Sequence, residues 1–182
     1  MSNIAMQGGA TGSGTVTLLA PVTNTNRTIN LPDSNGTIVT SATAGVPIGG
    51  PAFSYYQSSA QTLSSGTTTK ITFTSSDFDT SGGMFASSRF TPTVSGYYTV
   101  STGVQVNTTA TGIALEVWKN GAVFKRLSNT VASNGVASSS CLVYCNGSTD
   151  YVEIYANLTI GQALSTGSAF TYFQGALVRS AV

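Results

Sequence analysis

From Arg89 to Val106 the chain reads RFTPTVSGYYTVSTGVQV: a short alternating apolar run, a corner marked by Pro and Gly, then a longer alternating run. Pro92 has no amide hydrogen for a sheet ladder, and Gly96 is free to take the positive φ of a tight reversal. The corner is therefore expected at Val94, Ser95 and Gly96. Beyond it Tyr98, Val100, Thr102 and Val104 share one face of a strand, while Tyr97, Thr99, Ser101, Gly103 and Gln105 share the other. A two-residue period held this long excludes a helix here, and no other segment supplies one. The chain is expected to be all-β.

From Ala52 onward further runs of this kind follow at short intervals, near 52–57, 69–74, 84–91, 96–106, 112–118, 122–127, 137–145, 150–157 and 169–178. Turn residues separate them, and Asn120-Gly121 between LEVWK and AVFKR is the clearest two-residue hairpin signal. About nine or ten short antiparallel strands with mixed connections predict a two-sheet jelly roll over residues 52–182. Alternation places Ile113, Leu115 and Val117 inside, with Val152, Ile154 and Ala156, and with Thr171, Phe173, Gly175 and Leu177. Tyr151, Tyr155, Phe170 and Tyr172 fall on the opposite faces. A strand that is apolar on both sides needs a second contact beyond the core, so these four are the candidate subunit contact.

Only 7% of residues are charged, against roughly 25% in an ordinary globular protein. A surface of hydroxyls and amides repels its copies weakly, which predicts a multimer. The net charge of +1 without a basic cluster leaves no electrostatic footprint for nucleic acid. No run of apolar residues has the length of a membrane span, and the N-terminal residues do not read as a signal peptide, so maturation in a cytosol is expected.

Residues 1–41 form a distinct arm. Its Gly-rich start precedes the strand-like TVTLL rather than a helix, against a phosphate loop. Two short strands, Thr15 to Leu19 and Arg27 to Leu31, each run into a proline, and a third follows Asn35-Gly36. Three such strands are marginal alone in water and need partners. Residues 42–51, rich in Gly and Pro, read as a linker.

The run GSGTVTLLAPVTNTNRTINLPDSNGTIVTS resembles a segment of bacteriophage tail-fibre and other virion proteins, with Pro21, Arg27, Leu31, Pro32 and Asp33 among its landmarks. The resemblance implies a virion attachment arm or trimer stalk meeting a major capsid or tail protein. The region from Ala52 to Arg179 resembles the complement-type globular head, a jelly roll related to tumour necrosis factor. Phe90, Pro92, Gly96 and Tyr98 match its corner, Asn120 and Gly121 its hairpin, and Phe173, Gly175 and Leu177 its last strand. The turn at Gly147 to Asp150 is two residues longer than the family's. This resemblance implies a homotrimer with aromatic and aliphatic residues along the threefold axis, recognition on loops or outer faces, and calcium near the apex in some members.

Catalysis finds little support. There is no His, which removes the commonest general base. A Glu116 and Glu153 pair meets only the minimal requirement for glycoside hydrolysis. Asp77 and Asp79 are too few for a calcium loop and read as turn caps. Cys141 and Cys145, four apart on a strand, lie about 13 Å apart on one face, beyond disulfide reach, and read as structural thiols. Trp118 and the tyrosines offer a sugar platform, although core and subunit contact explain them as well. The sequence thus predicts a non-enzymatic structural protein of a bacteriophage particle without cofactor or metal. It would be assembled in the host bacterial cytoplasm, as a trimeric capsid decoration or head-fibre knob. The alternative is a short tail fibre whose loops bind a host surface glycan.

Overall fold

The computed structural model describes residues 50–106, 111–132 and 136–181. The arm landmarks Pro21, Arg27, Leu31, Pro32 and Asp33 lie outside the described residues. Thirteen strands follow one another with no α-helix among the described residues. They are β1 (Ala52–Tyr56), β2 (Thr62–Leu63), β3 (Thr69–Lys70), β4 (Ser75–Asp79), β5 (Phe85–Ala86), β6 (Arg89–Phe90), β7 (Gly96–Gln105), β8 (Thr111–Lys119), β9 (Ala122–Ala132), β10 (Val136–Cys145), β11 (Val152–Leu158), β12 (Gln162–Ala163) and β13 (Tyr172–Ser180). Five are two-residue pairings, and the eight longer ones form a jelly roll.

One sheet has the order β10-β7-β13-β1-β4. The other runs β5-β6-β11-β8-β9, with β3 also on β11, and β2 pairs with β12. The expected inward sets Ile113, Leu115 and Val117 on β8 and Val152, Ile154 and Ala156 on β11 are buried, and of the two faces of β7 it is that of Tyr98, Val100, Thr102 and Val104 that turns into the core. The two sheets are pinned together by rings. Phe53 of β1 lies 4.5 Å from Phe90 and 5.1 Å from both Phe85 and Phe173, centroid to centroid. Tyr55 stacks on Phe85 at 3.8 Å.

The corner before β7 forms as expected, but for another reason at Gly96. This residue has no positive φ. A Cβ there would come 2.5 Å from the Arg179 carbonyl oxygen and 2.6 Å from Leu177 Cδ1, so the requirement is close approach to β13. Tyr98 closes the corner by donating its hydroxyl to the Val94 carbonyl at 2.7 Å. At the β8–β9 hairpin Asn120 and Gly121 have φ of 54° and 79°, as a type I′ turn demands.

Several expected strands change their limits. The run at 69–74 pairs only over β3, and the chain then crosses to β4, whose SSDFD gives no strand signal. The run at 84–91 is broken by Ser87 and Ser88, both at positive φ (51° and 56°). The last strand begins at Tyr172 rather than 169 because Thr171 and Phe170 close a turn onto the Gly167 carbonyl.

Candidate self-association face

Each strand of the five-stranded sheet turns alternate residues away from the core, and the register lays them out in rows. In the first row Tyr144 of β10 stands beside Tyr97 of β7, with ring centroids 5.4 Å apart. The next row holds Leu142, Thr99, Ala176 and Ala52. A polar row follows, Ser140, Ser101, Gln174 and Ser54, in which Gln174 Nε2 donates to Ser101 Oγ at 3.1 Å. Tyr172 then lies over Gly103, where a Cβ would come 2.5 Å from the ring. Phe78, opposite Ser54 on edge strand β4, borders a shallow groove of about 250 Å³ shared with Ala52, Thr99, Ser101, Gln174 and Ala176.

Outside the polar row this face is largely apolar, and its large side chains are open to solvent. Leu142 is 53% exposed, Phe78 51%, and Tyr97 and Tyr144 42% each. The core-facing phase of the same strands is equally apolar, with Val143 and Cys145 buried behind Leu142 and Tyr144. Isolated exposed apolar residues are ordinary, but a contiguous set on one sheet face marks an interaction surface. Val123 and Phe124, on the free edge strand β9, are a second exposed apolar site.

The outer face of the six-stranded sheet has the opposite character, because its polar groups satisfy one another. Across β8 and β11, Glu153 stands opposite Trp118 and Tyr155 opposite Glu116. The two rings stack diagonally at 4.1 Å between the two carboxylates. Glu116 accepts from Trp118 Nε1 at 2.9 Å and pairs with Arg126 at 2.8 Å. Glu153 pairs with Lys70 at 2.7 Å and Arg89 at 2.8 Å, and the Arg89 guanidinium lies 3.8 Å above the Tyr151 ring. Burial alone would raise the Glu153 pKa, but the hydrogen bonds and charges of Lys70 and Arg89 outweigh it and hold the carboxyl below its ordinary value. A glycosidase acid needs the reverse shift. The stacked rings also face each other, so this pair is not the flat platform a sugar would need.

At the end near the chain's entry to β1, Asn120 Nδ2 donates to Asp150 at 2.7 Å, and Lys119 pairs with the same carboxylate at 2.9 Å. The longer turn there is shaped by Asn146, whose Oδ1 accepts the amides of Ser148, Thr149 and Asp150. Gly147 in this turn is at φ 73°, and a Cβ on it would run into the Ser95 amide. The bond from Asn120 is foremost in holding the Asp150 pKa down.

These shifts have a consequence for acid stability. A carboxylate with a depressed folded-state pKa contributes stability that is fully present above its unfolded value of about 4 and is lost as pH falls through the folded value. The melting temperature is therefore expected to hold from pH 7 to about 5 and to fall below about 4. Glu153→Gln should cost about 1–3 kcal/mol at pH 7, since Lys70 and Arg89 lose the carboxylate charge that pairs them but remain partly hydrated. It should also flatten the acid limb. Thermal denaturation across pH checks both, and an unchanged profile would show that these ion pairs contribute nothing.

The four tyrosine and phenylalanine candidates for the subunit contact do not share one face. Tyr151 and Tyr155 are engaged on the six-stranded sheet, Phe170 is exposed in the loop before β13, and Tyr172 alone is on the open apolar face. Among the fold-signature residues, Phe90, Tyr98 and Phe173 are fully buried, Pro92 is buried in the corner, and Gly175 meets Phe53 and the Thr99 carbonyl. Leu177 packs against the core. Asp77 and Asp79 accept from Ser54 and Tyr55 hydroxyls at 3.0 and 2.8 Å. No group of three or more His, Cys, Asp or Glu side chains gathers among the described residues. Cys141 and Cys145 are free thiols on the inner face of β10, and burial pushes the Cys145 pKa up to about 11.

No protein-family model and no curated protein matches this chain. Solved structures do match. The globular domain of the zebrafish complement 1qA protein aligns with a TM-score of 0.55 and 19% identity, over 72% of this chain and 99% of that one. The PRD1 vertex protein P5 aligns at 0.55 and 16%, over 71% and 97%. Murine APRIL aligns at 0.51 and 13%, over 70% and 98%. At these identities the likeness is one of fold, and it assigns the described residues to the complement-head and tumour necrosis factor type of jelly roll.

Proposed function

We propose that this chain is a structural protein of a bacteriophage virion, a homotrimeric capsid decoration or head-fibre knob held to the particle by its N-terminal arm. The open apolar face carries the reading. Tyr97, Leu142, Tyr144 and Phe78 project from a sheet whose core is already complete, so their burial requires another chain. A closed ring of three needs two different patches on each protomer. Val123 and Phe124 on the β9 edge supply the second, so that the edge of one protomer covers the sheet face of the next. A vertex protein among the structures of like fold supports the virion setting, as does the resemblance of residues 15–41 to virion fibre segments.

In this division of labour the head self-associates, and Pro21, Arg27, Leu31, Pro32 and Asp33 belong to the segment that grips a major capsid or tail protein. Three arms on one assembly multiply weak individual contacts. The test is binding of full-length protein and of a variant lacking residues 1–41 to particles stripped of this protein, followed by cryo-electron microscopy. The full chain should return in many copies to the capsid, and the shortened one should not bind. Density confined to a few copies at the tail tip would instead make the protein an adhesin. An arm-less variant that still binds would remove the anchoring role.

A further inference from the structure

At the end of the sandwich away from Gly50, the loops between β1 and β3 meet those between β11 and β13. Between Gln57 and Thr69, and again between Ile154 and Val178, the chain contains no Asp, Glu, Lys or Arg. Backbone bonds lock these loops together. The Leu164 amide donates to the Gln61 carbonyl at 3.0 Å, Ser165 to Gln105 at 2.8 Å, and Gly167 to Gln57 at 2.8 Å. Within this frame lies a cavity of about 310 Å³, lined by Ala60, Gln105, Leu164, Ser165, Thr166 and Phe170. Its size falls in the range of small-molecule sites, about 300–1,000 Å³.

The lining is chemically particular. Leu164 is fully buried and Ser165 nearly so, which gives the cavity an ordered wall. Phe170 stands at the margin with 42% of its surface exposed. Its turn is set by Gly167 at φ 111° and by the bond from the Phe170 amide to the Gly167 carbonyl at 3.0 Å. The cavity thus combines one ring, an amide and two hydroxyl side chains, with no charge.

We infer that this cavity binds a single neutral hexopyranose unit of a glycan. The Phe170 ring packs on the apolar C–H face of the sugar, and the amide of Gln105 and the hydroxyls of Ser165 and Thr166 exchange hydrogen bonds with its hydroxyl groups. Sialic and uronic acids are excluded because their carboxylate would be desolvated with no cation in these loops. The site is separate from the self-association face and stands whether or not the protein sits on a virion.

Saturation-transfer difference NMR on the full chain tests it, with methyl α-D-glucopyranoside, methyl β-D-galactopyranoside, N-acetylglucosamine and N-acetylneuraminic acid as probes. At least one neutral sugar should show transfer at millimolar concentration, and N-acetylneuraminic acid should show none. Phe170→Ala and the cavity-filling Thr166→Tyr should each weaken the neutral sugar at least tenfold with the assembled mass unchanged. The inference is overturned if no neutral pyranose binds, if the acidic sugar binds as well, or if either variant keeps full binding. Dissociation of the oligomer by both variants would also overturn it, by assigning the cavity to the subunit contact.

Discussion

Leu142→Asp is expected to convert the assembled protein to monomers at micromolar concentration while leaving its far-ultraviolet circular dichroism unchanged. The side chain is half exposed on the outer face of β10, so an isolated protomer tolerates a carboxylate there within about 0.5 kcal/mol. In the proposed assembly the same position is covered. Burying a Leu contributes about 1.5–3 kcal/mol, and each closed trimer would lose that three times. It would also desolvate three carboxylates whose neighbouring row offers Arg179 of β13, opposite Tyr97, and Lys119, 5.6 Å from the Tyr144 ring but already paired with Asp150. Sedimentation velocity reads the result directly. An unchanged mass, or a wild-type protein that is itself monomeric, would remove the self-association face and the trimeric reading built on it.

Phe53→Ala is expected to have the largest effect on the fold itself, about 3–5 kcal/mol, because it leaves a cavity where the two sheets meet. Phe53 touches Phe85 and Phe90 of one sheet and Phe173 of its own. Its ring also closes the space above Gly175, which has no side chain to collapse inward. For a domain of this size the melting temperature should drop by about 6–20 °C, measured at fixed protomer concentration because assembly adds its own stabilisation. Phe78→Ala is the informative contrast. This ring is 51% exposed, so its loss should barely change protomer stability but should weaken association. Equal losses from both would mean that Phe53 is not the contact joining the sheets.

The alternation along β7 and the two-residue turn at Asn120-Gly121 were legible in the sequence, because both are set by residues within a few positions of one another. The buried sets on β8 and β11 were legible for the same reason. Strand β4 was not. Four of the five residues of SSDFD are polar or acidic with low strand propensity, and it pairs because β1 offers a free edge with Ser54 and Tyr55 hydroxyls to meet Asp77 and Asp79. Ser87 and Ser88 carried no signal of their positive φ, since serine rarely adopts it. The role of Gly96 was read from turn chemistry, whereas the structure shows a steric need created by a strand some eighty positions away in sequence.

The contact face shows the same division. Sequence alone determined that several strands have two apolar sides, that the described residues are all-β, and which phase of β8, β11 and β13 points inward, since these follow from a two-residue period. Which outward side remains open was decided by the order of the strands. Tyr151 and Tyr155 fall on a sheet where Arg89 and Trp118 lie against them, while Tyr97 and Leu142 fall where β10, β7 and β13 leave a broad uncovered surface. Local periodicity tells a side chain which way to point, but only long-range strand pairing determines what stands there to meet it.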